Sequence, residues 1–465
     1  MEKIRVGISD YDELFFTKNV DSANELSIIN LISEPFVRMY DGKIWPAIAK
    51  SWQVFDDGHR WLFYLHTNSY FSDSTKCTMI DIMDSIECAK AKTDVFGLPS
   101  PYTRYLRNCS FRTVNRFALE VICEEPSGDV AEMLSGIPIL KPNRQGKPLI
   151  GTGNYLYSKY WPGKSVRLTK KSDLKHLSAY EQITFFIIPD PEERLEALKT
   201  GKIHFAASLE QLDKLPDNTG NLWWKCVTNH SVMGILNAWR GPFRDPVARQ
   251  AINYAIDKER IIKEIINGLA IPASTVVSPY HCGFGSTLTP YSYDPEKAKR
   301  MFDKVEMGSD LVITVSPGFP NHSQEIGKMI IFQLAEIGIT AHLEKIANRN
   351  EYKRNLVNKK AGDISLLELS TNSTYKILMD YVSSIEKGPM WQGIEDEVLA
   401  GMIHGANIEG DITERERKYS EVLRYVKQNP PWLYLFHPIS AFACIPEVRD
   451  VELLHTGVYR FPSAW

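Results

Sequence analysis

The chain has 465 residues, 43% of them hydrophobic and 24% charged, an ordinary globular composition at a length that exceeds one core and suits two or three domains. A net charge of −3 offers no basic face for nucleic acid, and no apolar run reaches the roughly eighteen residues that a membrane span needs. The seven cysteines show neither CxxC nor zinc-type spacing, and their odd number leaves at least one unpaired. Cys109 and Cys123 can bridge across a hairpin, but buried reduced thiols are the reading taken for the set.

In chain order, MEKIRVGISDYDE opens with a strand at 4–9 and no leader pattern. Asp41-Gly42 and Asp57-Gly58 read as hairpin turns. Trp61, Phe63 and Leu65 alternate on one face of the strand that follows, and Trp45, Trp52 and Trp61 are assigned to the core. A helix is predicted near 78–92, a loop over 93–107 and a hairpin over 109–123. After a loop at Lys141–Leu149 comes GTGNYLY at 151–157, too short for a phosphate cradle. A strand at Ile183–Ile188 feeds a helix started by Asp190-Pro191 and stopped by Gly201, with His204 a satisfied edge histidine.

Residues 232–262 organise the rest. Val232 to Leu236 is a buried apolar strand, and Asn237, Gly241 and Pro242 mark a turn. Asp245-Pro246 then starts a helix whose Val247, Ala251, Tyr254 and Ala255 share a face. Tyr293-Asp294-Pro295 opens another helix. Next come a strand at Leu311–Ser316, a helix at Ser323–Glu336 stopped by Gly338, and a strand at Ile339–Ile346. A helix near 349–358 and a strand at Asp363–Leu369 complete an alternating βαβ pattern, from which a parallel arrangement is expected. Asp411 and Glu414 cap a helix ending near Gln428, and Leu433–Phe436 is the return strand after Pro430-Pro431.

The run Asn237, Pro242, Phe243, Asp245, Arg249, Gln250, Ala251, Tyr254, Ala255, Ile256 and Asp257 resembles a signature of the extracytoplasmic solute-binding proteins of ABC importers, in the family 5 group for peptides, nickel and metal chelates. Leu31, Phe36, Gly42, Pro46, Ala49, Trp52, Asp57, Gly58, Trp61 and Phe63 fall in the same family's order, as do Phe71-Ser72-Asp73, Gly151-Thr152-Gly153, Tyr155 and the 183–205 unit. Ser74, Asn154 and His204 depart from it, standing where the family has Gly, Pro and an acid.

The resemblance implies an α/β, periplasmic-binding-protein-like fold of two lobes, class II of the large cluster C type, with an extra subdomain in the N-terminal lobe. The domain expectation is 1-38, 150-236 and 440-465 for the core of lobe I, 39-149 for the subdomain and 237-439 for lobe II. It also implies a ligand at strand ends, drawing on Asn237–Arg240, Pro317–Pro320, Thr371–Tyr375 and Phe436–His437 as converging segments. The candidate residues are Tyr102, Arg104, Trp224, Asn237, Trp239, Glu368, Thr371, Asn372, Ser373, Tyr375, Trp391 and His437, the tryptophans as ring walls. Peptide-binding relatives place an Asp after the strand that here ends in LLELSTNSTY, to meet the peptide ammonium. Here Glu368 or Glu34 would have to substitute. Arg104 would meet a chelator's carboxylates, and His281, Cys282 and His437 are the only candidates for direct metal ligation.

The expected function is capture of a small peptide or similar polar solute by closing lobes and delivery to an inner-membrane permease, with no cofactor and as a monomer. Nickel or metal-chelate binding within the same family is the alternative. A cytosolic ligand-sensing domain of a regulator is the alternative from another class, and no helix-turn-helix precedes the first strand. No GxSxG, HExxH, P-loop or dinucleotide fingerprint points to an enzyme. A periplasmic or extracytoplasmic lipid-anchored location is expected, with the leader absent from this sequence.

Overall fold

The strand Ser231–Leu236 is buried at every position, and this explains its unbroken apolar run. Val232 and Leu236 face one core with the helices Pro246–Ala255 and Ser323–Glu336. Met233 and Ile235 face a second core with Glu397–Asn407 and Ile412–Gln428. A strand covered on both faces has no solvent side to make polar.

The structure is a computed structural model that describes residues 2–11, 18–19, 22–40, 43–94, 98–141, 150–172, 180–212, 221–371, 373–448 and 451–461. The expected Asp41-Gly42 turn, most of the 141–149 loop and Asn372 lie outside them. The chain divides into two compact units, Met1–Cys226 with Ser440–Trp465, and Val227–Ile439. The long strand Trp432–Cys444, foreseen only as far as Phe436, runs from the second unit into the first.

In the second unit Ser231–Leu236 lies between Trp432–Cys444 and Ile364–Leu369, antiparallel to both. Leu311–Val315 pairs in parallel with Ile364–Leu369 and with Ala341–Lys345. The three strands of the βαβ pattern are thus parallel as expected, and Ser231–Leu236 and Trp432–Cys444 join them antiparallel, which makes the sheet mixed. Periodicity marks a strand but not the direction of its neighbour.

The stretch that follows the buried strand is architectural. Asp245 caps its helix by accepting from the Val247 amide at 2.7 Å, which satisfies one of the orphan donors of the first turn. Arg249 is buried and donates to the carbonyls of Phe243, Arg244 and Pro430 at 2.9, 3.1 and 3.1 Å. The Asn253 amide donates to the Trp432 carbonyl at 2.8 Å and accepts from the Tyr434 amide at 3.0 Å, tying helix to strand.

The first unit holds Lys3–Ile8 in parallel between Gln182–Ile187 and Phe205–Ala206. Asp190 caps the helix Pro191–Lys199 through the Glu193 amide at 2.9 Å. Within that helix Arg194 is fully buried, and its guanidinium donates to the carbonyls of Ile188, Pro189, Ala207 and Ser208. A separate four-stranded sheet runs in the order Ala49–Phe55, Arg60–Leu65, Ala118–Cys123, Cys109–Asn115. The helix Met79–Ala91 carries a Thr78/Asp81 capping box. Trp61 is buried and stacked on Phe63 at 5.9 Å, and Trp52 is half-buried. Trp45 is 50% exposed, so its assignment to the core is corrected. It sits on a two-stranded ribbon, Val37–Tyr40 with Lys43–Pro46, that leaves its ring a free face.

Candidate ligand-binding site

In the second unit Ser231 lies opposite Leu369, and Val232 lies opposite both Glu368 and Phe436. That register gathers His230, Ser231, Glu368, Thr371 and His437 at one edge of the sheet. His230 donates from Nδ1 to Glu368 at 2.9 Å, with the Glu368 side chain 25% exposed. His281 comes in from a loop. Its Nε2 donates to the Thr371 carbonyl at 2.7 Å, while Nδ1 accepts from the Ser278 amide at 3.2 Å.

His437 has its Nδ1 within 3.1 Å of the His230 carbonyl and 3.0 Å of Ser231 Oγ. A carbonyl can only accept, so Nδ1 carries the proton and Nε2 is left as an acceptor. That Nε2 is buried and has no hydrogen-bond partner among the described residues. Burial pushes both His281 and His437 down to about 4, because a desolvated imidazolium is costly. Both rings are therefore neutral at neutral pH.

Nearby, Ser373 Oγ caps the helix Thr374–Ile377 by accepting from the Lys376 amide at 3.1 Å. Thr374 donates to the Cys282 carbonyl at 2.7 Å, and Tyr375 packs half-buried against the core. Pro317–Pro320 follows Leu311–Val315, which runs parallel to Ile364–Leu369, and so leaves the sheet at this same edge.

Asn237–Arg240 does not. Because Ser231–Leu236 runs antiparallel to its neighbours, its end lies beside Asp363, and the Asn237 amide N–H donates to the Asp363 carbonyl at 2.9 Å. The expected convergence of four segments is thus corrected to three, with Asn237–Arg240 at the opposite edge. There Asn237 is buried and accepts from the Trp239 amide at 3.0 Å, a turn-forming role. Trp239, 45% exposed, meets Trp391 edge-on at 5.3 Å. Trp391 is buried and donates to the Ile394 carbonyl at 3.0 Å.

The remaining candidates belong to the first unit. Tyr102 and Arg104 lie on the short helix Pro101–Tyr105. Tyr102 is buried with its phenol pushed up to about 12 by desolvation. The Arg104 guanidinium stands 5.1 Å from the Tyr105 ring. Trp224 stacks on Phe442 at 5.0 Å. Burial raises the Glu34 carboxyl against the opposing charges of Arg38, Lys171 and His66, so Glu34 already has cations about it. Gly153 serves packing: a Cβ there would come within 2.5 Å of the Leu31 carbonyl oxygen.

His230 and Ser231 were not foreseen. A histidine just before an apolar strand carries no spacing signal, and only the pairing across to Glu368 gives it a role. Among the described residues no group of three or more His, Cys, Asp or Glu is arranged to hold a metal ion. No helix among them is long and apolar enough to cross a membrane.

Two α/β units sharing the long strand Trp432–Cys444 have the architecture of a periplasmic-binding-protein fold, and comparison with known proteins agrees. The structure matches NikA from Brucella suis in complex with Fe(III)-EDTA with a TM-score of 0.82 at 19% identity, over 100% of this chain and 99% of that one. In sequence, the Di/tripeptide-binding protein 2 of Pseudomonas aeruginosa is 24% identical over 442 residues, 85% of this chain and 81% of the relative. The nickel-binding periplasmic protein of Escherichia coli is 25% identical over 384 residues, 76% of this chain and 68% of the relative. Residues 43–382 match the model of the bacterial extracellular solute-binding proteins, family 5. The chain belongs to that family, and is a solute-binding protein of the kind that serves ABC importers.

Proposed function

We propose that the solute is a small peptide or a similar polar molecule, handed by this chain to a membrane permease. The carrying observation is Glu368, an acid at a sheet edge whose partner, His230, is titratable. Its carboxylate can exchange that partner for a ligand ammonium, supplying the paired charge that a desolvated cation requires. Thr371 and Ser373 beside it offer hydroxyls, and the orphan His437 Nε2 offers an acceptor. The di/tripeptide-binding relative, matched over more of its length than the nickel-binding one, supports the same reading. Residues 39–149, which include the separate four-stranded sheet, form a subdomain added to the first lobe. The protein acts outside the cytoplasm, as a monomer, without nucleic acid and without a catalytic step.

A metal chelate is the second reading, favoured by the nickel-binding relative and by the cationic Arg104. Its carboxylates rather than its metal would be recognised, since guanidinium matches a carboxylate in bidentate fashion. Calorimetry with a free tripeptide, its N-acetylated form and a nickel–histidine complex decides between the two. The peptide reading expects the free tripeptide to bind and acetylation to abolish binding. Binding of the nickel complex alone would overturn it.

A further inference from the structure

In the four-stranded sheet of the first unit, Cys109 opens one strand and Cys123 closes its antiparallel neighbour, directly opposite in register. The Glu124 amide donates to the Asn108 carbonyl at 2.9 Å. The 108/124 pair is therefore backbone-bonded, and the adjacent 109/123 pair is of the open kind, in which Cα atoms approach to about 4.5 Å and side chains are closest. That spacing lies inside the range of about 4.4–6.8 Å that a disulfide bridges. Both thiols are free, and their sulfurs stand 3.3 Å apart.

We propose that Cys109 and Cys123 are an oxidisable dithiol that closes to a cross-strand disulfide outside the cytoplasm. The chemistry follows from exposure. Cys109 is half-buried and Cys123 buried, so Cys109 meets the oxidant. The hydrogen bond from Cys123 also lowers the Cys109 thiol, while that contact and burial raise Cys123, which makes Cys109 the better nucleophile. The Cys109 thiolate attacks one sulfur of a disulfide oxidant, either an oxidoreductase or glutathione disulfide, and expels the other as a thiolate. Cys123 then gives up its proton and attacks the Cys109 sulfur, releasing the second thiol. Two electrons and two protons pass from the pair to the oxidant, leaving one new S–S bond.

The bridge has a structural reach. The Cys109 amide donates to the Leu106 carbonyl at 3.2 Å, and the Leu106 amide donates to the Tyr102 carbonyl at 3.0 Å. Pinning Cys109 therefore also fixes the end of the short helix that carries Tyr102 and Arg104.

The location in the proposal rests on the extracytoplasmic reading above, and the pairing does not, so the test has two arms. Full-length protein is reduced, equilibrated with glutathione disulfide, denatured and alkylated. The expected result is five alkylated cysteines out of seven, a peptide joining Cys109 to Cys123, and a higher thermal midpoint that Cys109→Ser abolishes. Seven alkylated cysteines after equilibration, or a bridge to any other cysteine, overturns the pairing. In the second arm the protein is alkylated in freshly harvested cells. A bridge there supports the proposal whole. If it forms in vitro and is absent from cells, the pairing stands and the stated location is overturned.

Discussion

Acidification should destabilise the second unit through His281 and His437. Both are nearly inaccessible, and burial holds each at about 4 against an ordinary 6.5. Below pH 6.5 the unfolded chain protonates these rings while the folded chain does not. Their contribution to stability is complete above that value and is lost as pH falls toward 4. At about pH 5 each ring removes about 2 kcal/mol, and the two together about 4 kcal/mol, a large share of a typical stability of about 5–15 kcal/mol. The charge of nearby His230 is among the influences that lower His281. Urea unfolding at about pH 7 and about pH 5, with proton uptake on unfolding measured by calorimetry, tests this. About two protons should be taken up near pH 5, and His281→Gln/His437→Gln should flatten the slope. An unchanged slope in that variant, or uptake near zero in the wild type, would refute the reasoning.

Other substitutions test separate parts of the structure. Glu368→Gln should weaken a free peptide about ten- to hundredfold in calorimetry, the worth of one charge-assisted hydrogen bond, and an unchanged affinity would refute the role given to Glu368. Arg194→Met keeps the volume but orphans the carbonyls of Ile188, Pro189, Ala207 and Ser208. It should cost at least about 3 kcal/mol in urea unfolding, and a loss below about 1 kcal/mol would mean that water satisfies those groups. Asn253→Ala strips partners from the Trp432 carbonyl and the Tyr434 amide and should cost about 2–4 kcal/mol by the same measurement.

Element types were legible where local chemistry is strong. Asp190-Pro191, Asp245-Pro246 and Asp294-Pro295 each announce a capped helix start, and each Asp side chain does accept from its first turn. The unbroken apolar run of 232–236 announced a strand covered on both sides. The 109–123 hairpin was read correctly, as was the possibility that its cysteines face each other.

The sequence by itself thus determined the family, the capped helices and the buried strands, because capping, turns and burial act between residues near in the chain or on one element's own period. Tertiary structure alone decided that Ser231–Leu236 runs against both of its neighbours, since an apolar strand reads the same in either direction. Reversing one strand moved Asn237 and Trp239 away from Thr371 and His437. It also set His230 opposite Glu368 across 138 residues of chain, a contact that no local pattern encodes.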